Sequence, residues 1–99
     1  MTKILLVCAG GMSTSILMKK IEKYAAEHDI PLTIMARGAG DFEDVVKDFD
    51  VILLGPQVSY QKANIEQASG LPVGVIAPYD YAIGNCENIF KLANGLLGR

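Results

Sequence analysis

Apolar residues in this chain fall into two patterns: short unbroken runs, and longer stretches where they recur every three or four positions. Ile4-Leu5-Leu6-Val7 and Val51-Ile52-Leu53-Leu54 are aliphatic runs of strand length. Strands covered on both faces read this way. Pro31 to Ala36 and Val73 to Ile76 are two more strand candidates; Gly38-Ala39-Gly40 breaks the former, and Gly55-Pro56 stops the run that ends at Leu54. From about Ser13 to His28, Ile16, Leu17, Ile21, Tyr24 and Ala25 recur at helical spacing. Lys19, Lys20, Glu22, Lys23 and Glu27 occupy the rest of that wheel, and Ser13 or Thr14 is placed to cap it. Asp41 to Lys47 predicts a short helix of one or two turns. A helix from about Ser59 to Ala68 ends at Ser69-Gly70, ahead of Pro72. The last helix is predicted from about Ile83 to Leu97, burying Ile83, Ile89, Phe90, Ala93, Leu96 and Leu97.

Strands alternating with helices make an α/β fold with a parallel sheet. Residues 1–99 read as one domain, without repeats or linkers. Right-handed crossovers give an open four-stranded parallel sheet in the order 2-1-3-4, with helices on both faces. Ligands of such sheets bind beyond the carboxyl ends of the strands. That edge gathers Cys8 to Met12, Arg37 to Gly40, Gly55 to Tyr60 and Ala77 to Ala82.

Composition narrows the function. Hydrophobic residues make up 51% of the chain and charged ones 20%, enough apolar surface for a core without disulfides or metals. The net charge is −2 and the nine Lys and Arg are scattered, which excludes a nucleic-acid surface. The longest apolar runs fall far short of the ~20 residues of a membrane span. Met1-Thr2-Lys3 leads straight into a strand, without a signal-peptide core. The expected place is therefore the cytoplasm, with no insertion into a membrane. Cys8 and Cys86 lie far apart without metal-ligand spacing, and His28 is the single histidine, so no metal and no cofactor are expected.

The chemistry concentrates in Cys8-Ala9-Gly10-Gly11-Met12-Ser13-Thr14-Ser15, between a buried strand and a helix. Two glycines let the backbone turn with its N–H groups inward, and such a nest beside a helix N-terminus binds anions. The hydroxyls of Ser13, Thr14 and Ser15 add donors. A thiol at the mouth of the nest is favoured as thiolate, suited to attack phosphorus and hold the product. The plainer alternative is a small apolar cysteine ahead of a tight turn. Gln57 and Tyr60 lie on the same edge, placed to meet the phosphate loop or a partner; the alternative is that Gly55-Pro56 only ends the strand and Gln57 caps the next helix. Tyr79, Asp80 and Tyr81 form an aromatic rim suited to docking. Asp80 as a helix cap with Tyr81 on the core is the competing assignment, and Asp80 as a general acid is disfavoured. His28, about 22 Å along the helix from the loop, is a surface residue. Cys86 packs as a small apolar residue in the first turn of the last helix.

The strand–loop–helix is similar to that of low-molecular-weight tyrosine phosphatases, which carry Cys-x5-Arg. Here the arginine position is Thr14. Without that bidentate grip on the equatorial oxygens, hydrolysis loses orders of magnitude, which suits a carrier better than a hydrolase. A phosphatase-like hydrolase is the alternative. The loop together with Leu53-Leu54-Gly55-Pro56-Gln57-Val58 and Tyr60 resembles, over essentially the whole chain, the IIB component of the sugar phosphotransferase system, lactose, cellobiose and chitobiose branch. The resemblance implies a four-stranded parallel sheet and a transferase with Cys8 as the phosphorylated nucleophile. Residues Ala9 to Ser15 would form its phosphate-binding loop. It also implies two partners: IIA, whose phosphohistidine donates, and membrane-bound IIC, whose disaccharide accepts, a cellobiose-type β-glucoside first. Gln57, Tyr60, Tyr79, Asp80 and Tyr81 would then lie on the docking face. A carrier of this kind works as a monomer.

Overall fold

The computed structural model describes residues 2–8, 12–38, 40 and 42–98, with residues 12–14 described by their backbone. The aliphatic runs fold as strands: β1 (Thr2–Cys8), β2 (Leu32–Gly38), β3 (Val51–Leu54) and β4 (Val73–Val75). They form one sheet in the order β2-β1-β3-β4, with every pairing parallel, the predicted order. β2 runs past its predicted end at Ala36, because Arg37 and Gly38 pair with Val7 and Cys8. A neighbouring ladder overrides the poor strand propensity of glycine there.

Alternation along β1 divides the core. Ile4 and Leu6 face α1 (Met12–Glu27) and α4 (Cys86–Leu96), in a cluster with Leu17, Ile21, Ile89 and Phe90. Leu5 and Val7 face the other way, onto Phe42, Phe49, Val58 and Ile65, the last from α2 (Lys62–Ser69). Helices thus cover both faces. Ile4 to Val7 and Val51 to Leu54 are wholly inaccessible, as their uninterrupted hydrophobicity requires. Gly74 in β4 permits close approach on the α4 side, for a Cβ there would stand 2.6 Å from Leu96 Cδ1.

Several local expectations are corrected. α1 starts at Met12, so Ser13 and Thr14 lie inside its first turn rather than at its cap. Ile16, expected in the core, is 56% exposed. The buried stripe is Leu17, Ile21 and Ala25, at four-residue spacing, and Ile16 lies about 100° round the helix from Leu17. The short helix proposed over Asp41 to Lys47 becomes a turn at residues 43–45 and a 3₁₀ turn at Val46–Asp48; Asp41 lies outside the described residues. Helical geometry begins at Pro56, ahead of the predicted Ser59. Pro56–Gln61 is 3₁₀, and α2 proper starts at Lys62. Proline at the first helical position accounts for the early start. Gln57 therefore sits inside the 3₁₀ segment and caps nothing; Gly55 holds the cap position.

The largest difference is at the end of the chain. The predicted single helix from Ile83 is two helices, α3 (Pro78–Ile83) and α4. Gly84, at φ +66°, ends the first in the left-handed conformation that favours glycine, and Asn85 caps the second by accepting from the Asn88 amide at 3.2 Å. Ile83 becomes the last residue of α3 and is 47% exposed, against the prediction; Leu96 and Leu97 are half-buried. Lys20 ties the break to α1, its Nζ donating to the Ile83 carbonyl at 3.5 Å.

Candidate functional site

β1 carries Cys8 to the carboxyl edge of the sheet as its last residue, paired with Gly38 of β2. On its other side the Gly55 amide donates to the Val7 carbonyl at 3.0 Å, fixing the end of β3 against the end of β1. Cys8 is 2% exposed and its thiol is free. α1 begins four residues later at Met12, so the cysteine stands between a strand end and a helix N-terminus. Aligned peptide dipoles and unpaired N–H groups there favour an anion. Ser15 is an exposed residue of that first turn. Ala9, Gly10 and Gly11 lie outside the described residues, as do the side chains of Met12, Ser13 and Thr14.

Tyr81 and Gly55 close on the sulfur, with Gln57 beside Gly55. The Tyr81 hydroxyl donates to Cys8 Sγ at 3.8 Å, joining residues 73 apart in the chain. A Cβ built at Gly55 would stand 3.1 Å from Cys8 Sγ, 2.8 Å from Gln57 Oε1 and 3.4 Å from Tyr81 Cε2. The backbone at Gly55 is ordinary extended chain, φ −65° and ψ 150°, so glycine supplies room there and not an unusual turn. Cys8, Gly55, Gln57 and Tyr81 thus share one small volume at the ends of β1 and β3. Sequence reading assigned Gly55 only the end of a strand and missed its contact with the sulfur. A glycine just past a central strand, on the edge where ligands bind, was the available signal.

The remaining rim residues divide. Tyr60 and Tyr79 are 78% and 71% exposed, and Tyr60 accepts from Gln61 Nε2 at 3.0 Å. Asp80 caps nothing, because Ala77 holds the cap position of α3; its carboxylate accepts from Asn88 Nδ2 at 3.1 Å, linking α3 to α4. Tyr81 is half-buried against the core, with its hydroxyl on the sulfur. Beside it lies a groove of about 210 Å³ lined by Ile16, Leu17, Lys20, Tyr81, Ala82 and Gly84.

The remaining residues have their own places. His28 follows the far end of α1 and stacks on Tyr24 at 4.1 Å between ring centroids. Arg37 is the penultimate residue of β2, paired with Val7. Cys86 opens α4, buried, with its thiol donating to the Gly84 carbonyl at 3.4 Å. Burial pushes that thiol up from its ordinary value, against the opposing pull of Lys20 and a backbone hydrogen bond. Among the described residues no three His, Cys, Asp or Glu side chains come together as a metal site, and no helix is long and apolar enough to cross a membrane.

Comparison with known proteins gives a consistent set of likenesses. The family model described as "PTS system, Lactose/Cellobiose specific IIB subunit" matches residues 3–92. The galactose-specific EIIB component of Lactococcus lactis subsp. cremoris is 34% identical, over 95% of this chain and 94% of that protein. A lactose-specific EIICB component of Staphylococcus epidermidis is 36% identical over 67% of this chain, a stretch that makes up 11% of the larger protein. Among solved structures, the cellobiose-specific phosphotransferase IIB component of Borrelia burgdorferi superposes with a TM-score of 0.78. It is 40% identical and covers 96% of this chain and 90% of that one.

Proposed function

Because the chain belongs to the lactose/cellobiose-specific IIB family of the phosphotransferase system, we propose that it carries a phosphoryl group on Cys8 between a IIA donor and a sugar held by IIC. The observation that carries this is a cysteine at the carboxyl end of a central strand, four residues ahead of a helix N-terminus. A phosphoryl group on that sulfur would meet the positive end of the helix, and we assign Ala9 to Ser15 as its phosphate-binding loop, on the likeness to the family.

Two in-line displacements follow. In the first, Cys8 sulfur attacks the phosphorus of a IIA phosphohistidine. The S–P bond forms as the N–P bond breaks, the electron pair returns to the ring nitrogen, and the thiol proton ends on the imidazole. In the second, a sugar hydroxyl attacks the same phosphorus. The O–P bond forms, the S–P pair returns to sulfur, and the hydroxyl proton restores the thiol. Positioning and fixed dipoles supply most of the acceleration in such transfers. Each hydrogen bond to the charged group contributes roughly 1.5–3 kcal/mol. Thr14, where hydrolases of similar loop carry arginine, leaves water without help and so preserves the loaded carrier.

Both partners approach the same edge, and Gln57, Tyr60, Tyr79, Asp80 and Tyr81 are the residues assigned to the docking face around it, Tyr81 alone with its hydroxyl on the sulfur. The occurrence of a similar segment within an EIICB protein supports IIC as the acceptor's holder. A cellobiose-type β-glucoside is the favoured sugar, supported by the 40% identity to a cellobiose-specific component. Residues 1–99 act as one carrier domain, monomeric and cytoplasmic. Incubation with phosphorylated IIA, followed by intact-mass spectrometry, should add one phosphoryl group to the parent protein and none to Cys8→Ser. A parent that stays unmodified beside verified phospho-IIA would refute the carrier.

A further inference from the structure

The sulfur of Cys8 has a specific hydrogen-bond donor. Tyr81 reaches it from α3 at 3.8 Å, within the longer range that sulfur acceptors allow. The tyrosine ring is held by the apolar cluster of α1 and α4, and its Cε2 edge lies against the Gly55 backbone, where a Cβ would be 3.4 Å away. α3 is itself anchored at both ends of its contact with the body. Asn88 donates to Asp80 at 3.1 Å, and Lys20 donates to the Ile83 carbonyl at 3.5 Å. The hydroxyl is therefore aimed by packing around it and not left to a mobile side chain.

We propose that Tyr81 is a catalytic residue of phosphoryl transfer, donating its hydroxyl hydrogen bond to Cys8 sulfur as the S–P bond breaks; this rests on the carrier role of Cys8. A sulfur bonded to phosphorus bears little charge and accepts weakly. As the S–P bond breaks, the electron pair returns to sulfur and its negative charge grows, so the same donor binds the transition state more strongly than the loaded ground state. Only such differential binding accelerates a step. Gly55 belongs to the same device, because a side chain there would intrude between the sulfur, Gln57 and the tyrosine ring. Tyr81 thus has a role distinct from that of the exposed Tyr60 and Tyr79, which touch nothing at the sulfur among the contacts described.

The test loads Cys8 from phosphorylated IIA, removes the donor, and follows discharge to fresh unphosphorylated IIA by quenched intact-mass spectrometry. Tyr81→Phe keeps the ring and removes the donor, and should discharge about tenfold more slowly than the parent, the scale of one hydrogen bond to a charged atom. Its thermal midpoint should stay near the parent's, while Tyr81→Leu, lacking the ring, should lose stability as well. A second arm needs no partner. With tyrosine labelled at ¹³Cζ, the Tyr81 resonance, identified by its absence from Tyr81→Phe, should move in Cys8→Ala while those of Tyr24, Tyr60 and Tyr79 stay. Discharge of Tyr81→Phe at the parental rate would overturn the proposal, as would a Tyr81 signal indifferent to Cys8. Failure of the parent to load would refute the carrier itself and end the catalytic assignment with it. The resonance arm separates that outcome from a mistaken contact.

Discussion

At Gly55, the space a methyl group would fill is already bordered by the side chains of Cys8, Gln57 and Tyr81. Gln57 Oε1 is the far end of a flexible side chain and can swing away, but the sulfur sits at a strand end and the tyrosine ring is packed. Gly55→Ala should therefore displace the sulfur or its donor by a few tenths of an ångström. Overpacking of this kind costs roughly 1–3 kcal/mol of stability. Transfer from IIA should fall by more than that loss explains, since misplacement of the reacting atom is penalised steeply. Loading rate and denaturation midpoint measured on the same variant check it; full loading by Gly55→Ala would show the sulfur to be insensitive to its surroundings. The place of Cys8 at the end of a buried central strand was legible in the sequence, because the aliphatic run leads straight into it. Its contact with Tyr81 was not: local periodicity carries no information about which of three rim residues, 71 to 73 positions away, turns inward.

Among the elements, the join between α3 and α4 shows what pattern reading can and cannot resolve. The apolar spacing over Ile89, Phe90 and Ala93 gave a helix correctly, and all three are buried. Extending it back to Ile83 passed over Gly84-Asn85, a stop followed at once by a start. Left-handed glycine ends one helix, and the Asn85 side chain accepts from the Asn88 amide to begin the next. Asn85→Ala removes that cap and should lower stability by about 0.5–2 kcal/mol. The cost should appear in chemical denaturation, with the loss of helical signal kept small; a variant as stable as the parent would mean that the cap is redundant beside the Asp80–Asn88 link. α1 repeats the lesson in a milder form, its true buried stripe being Leu17, Ile21 and Ala25, with Ile16 turned toward the groove beside Tyr81.

For the whole molecule, strand order and the two-faced core were legible because continuous aliphatic runs and right-handed crossovers leave few alternatives. The buried thiol of Cys86 bears on how the folded state as a whole responds to pH. Burial raises its ionisation above the ordinary value of 9.0, with Lys20 opposing. The folded state then holds the proton to higher pH than the unfolded chain. The resulting stabilisation is complete below the unfolded value and is lost as pH rises through the raised one. Denaturation midpoints followed upward past pH 9 should fall less steeply in Cys86→Ala than in the parent. Equal slopes would mean that Cys86 titrates alike in both states.

The parallel sheet gives the molecule a direction. All four strands run the same way, so their carboxyl ends gather around Cys8, and their starting ends, near Thr2, Pro31, Asp50 and Pro72, form the opposite rim. None of the chemistry described here touches that rim. It serves as a handle: a dye, a tether or a surface attached through exposed Asp50 would leave the working end turned outward, presenting the sulfur to whatever comes to meet it.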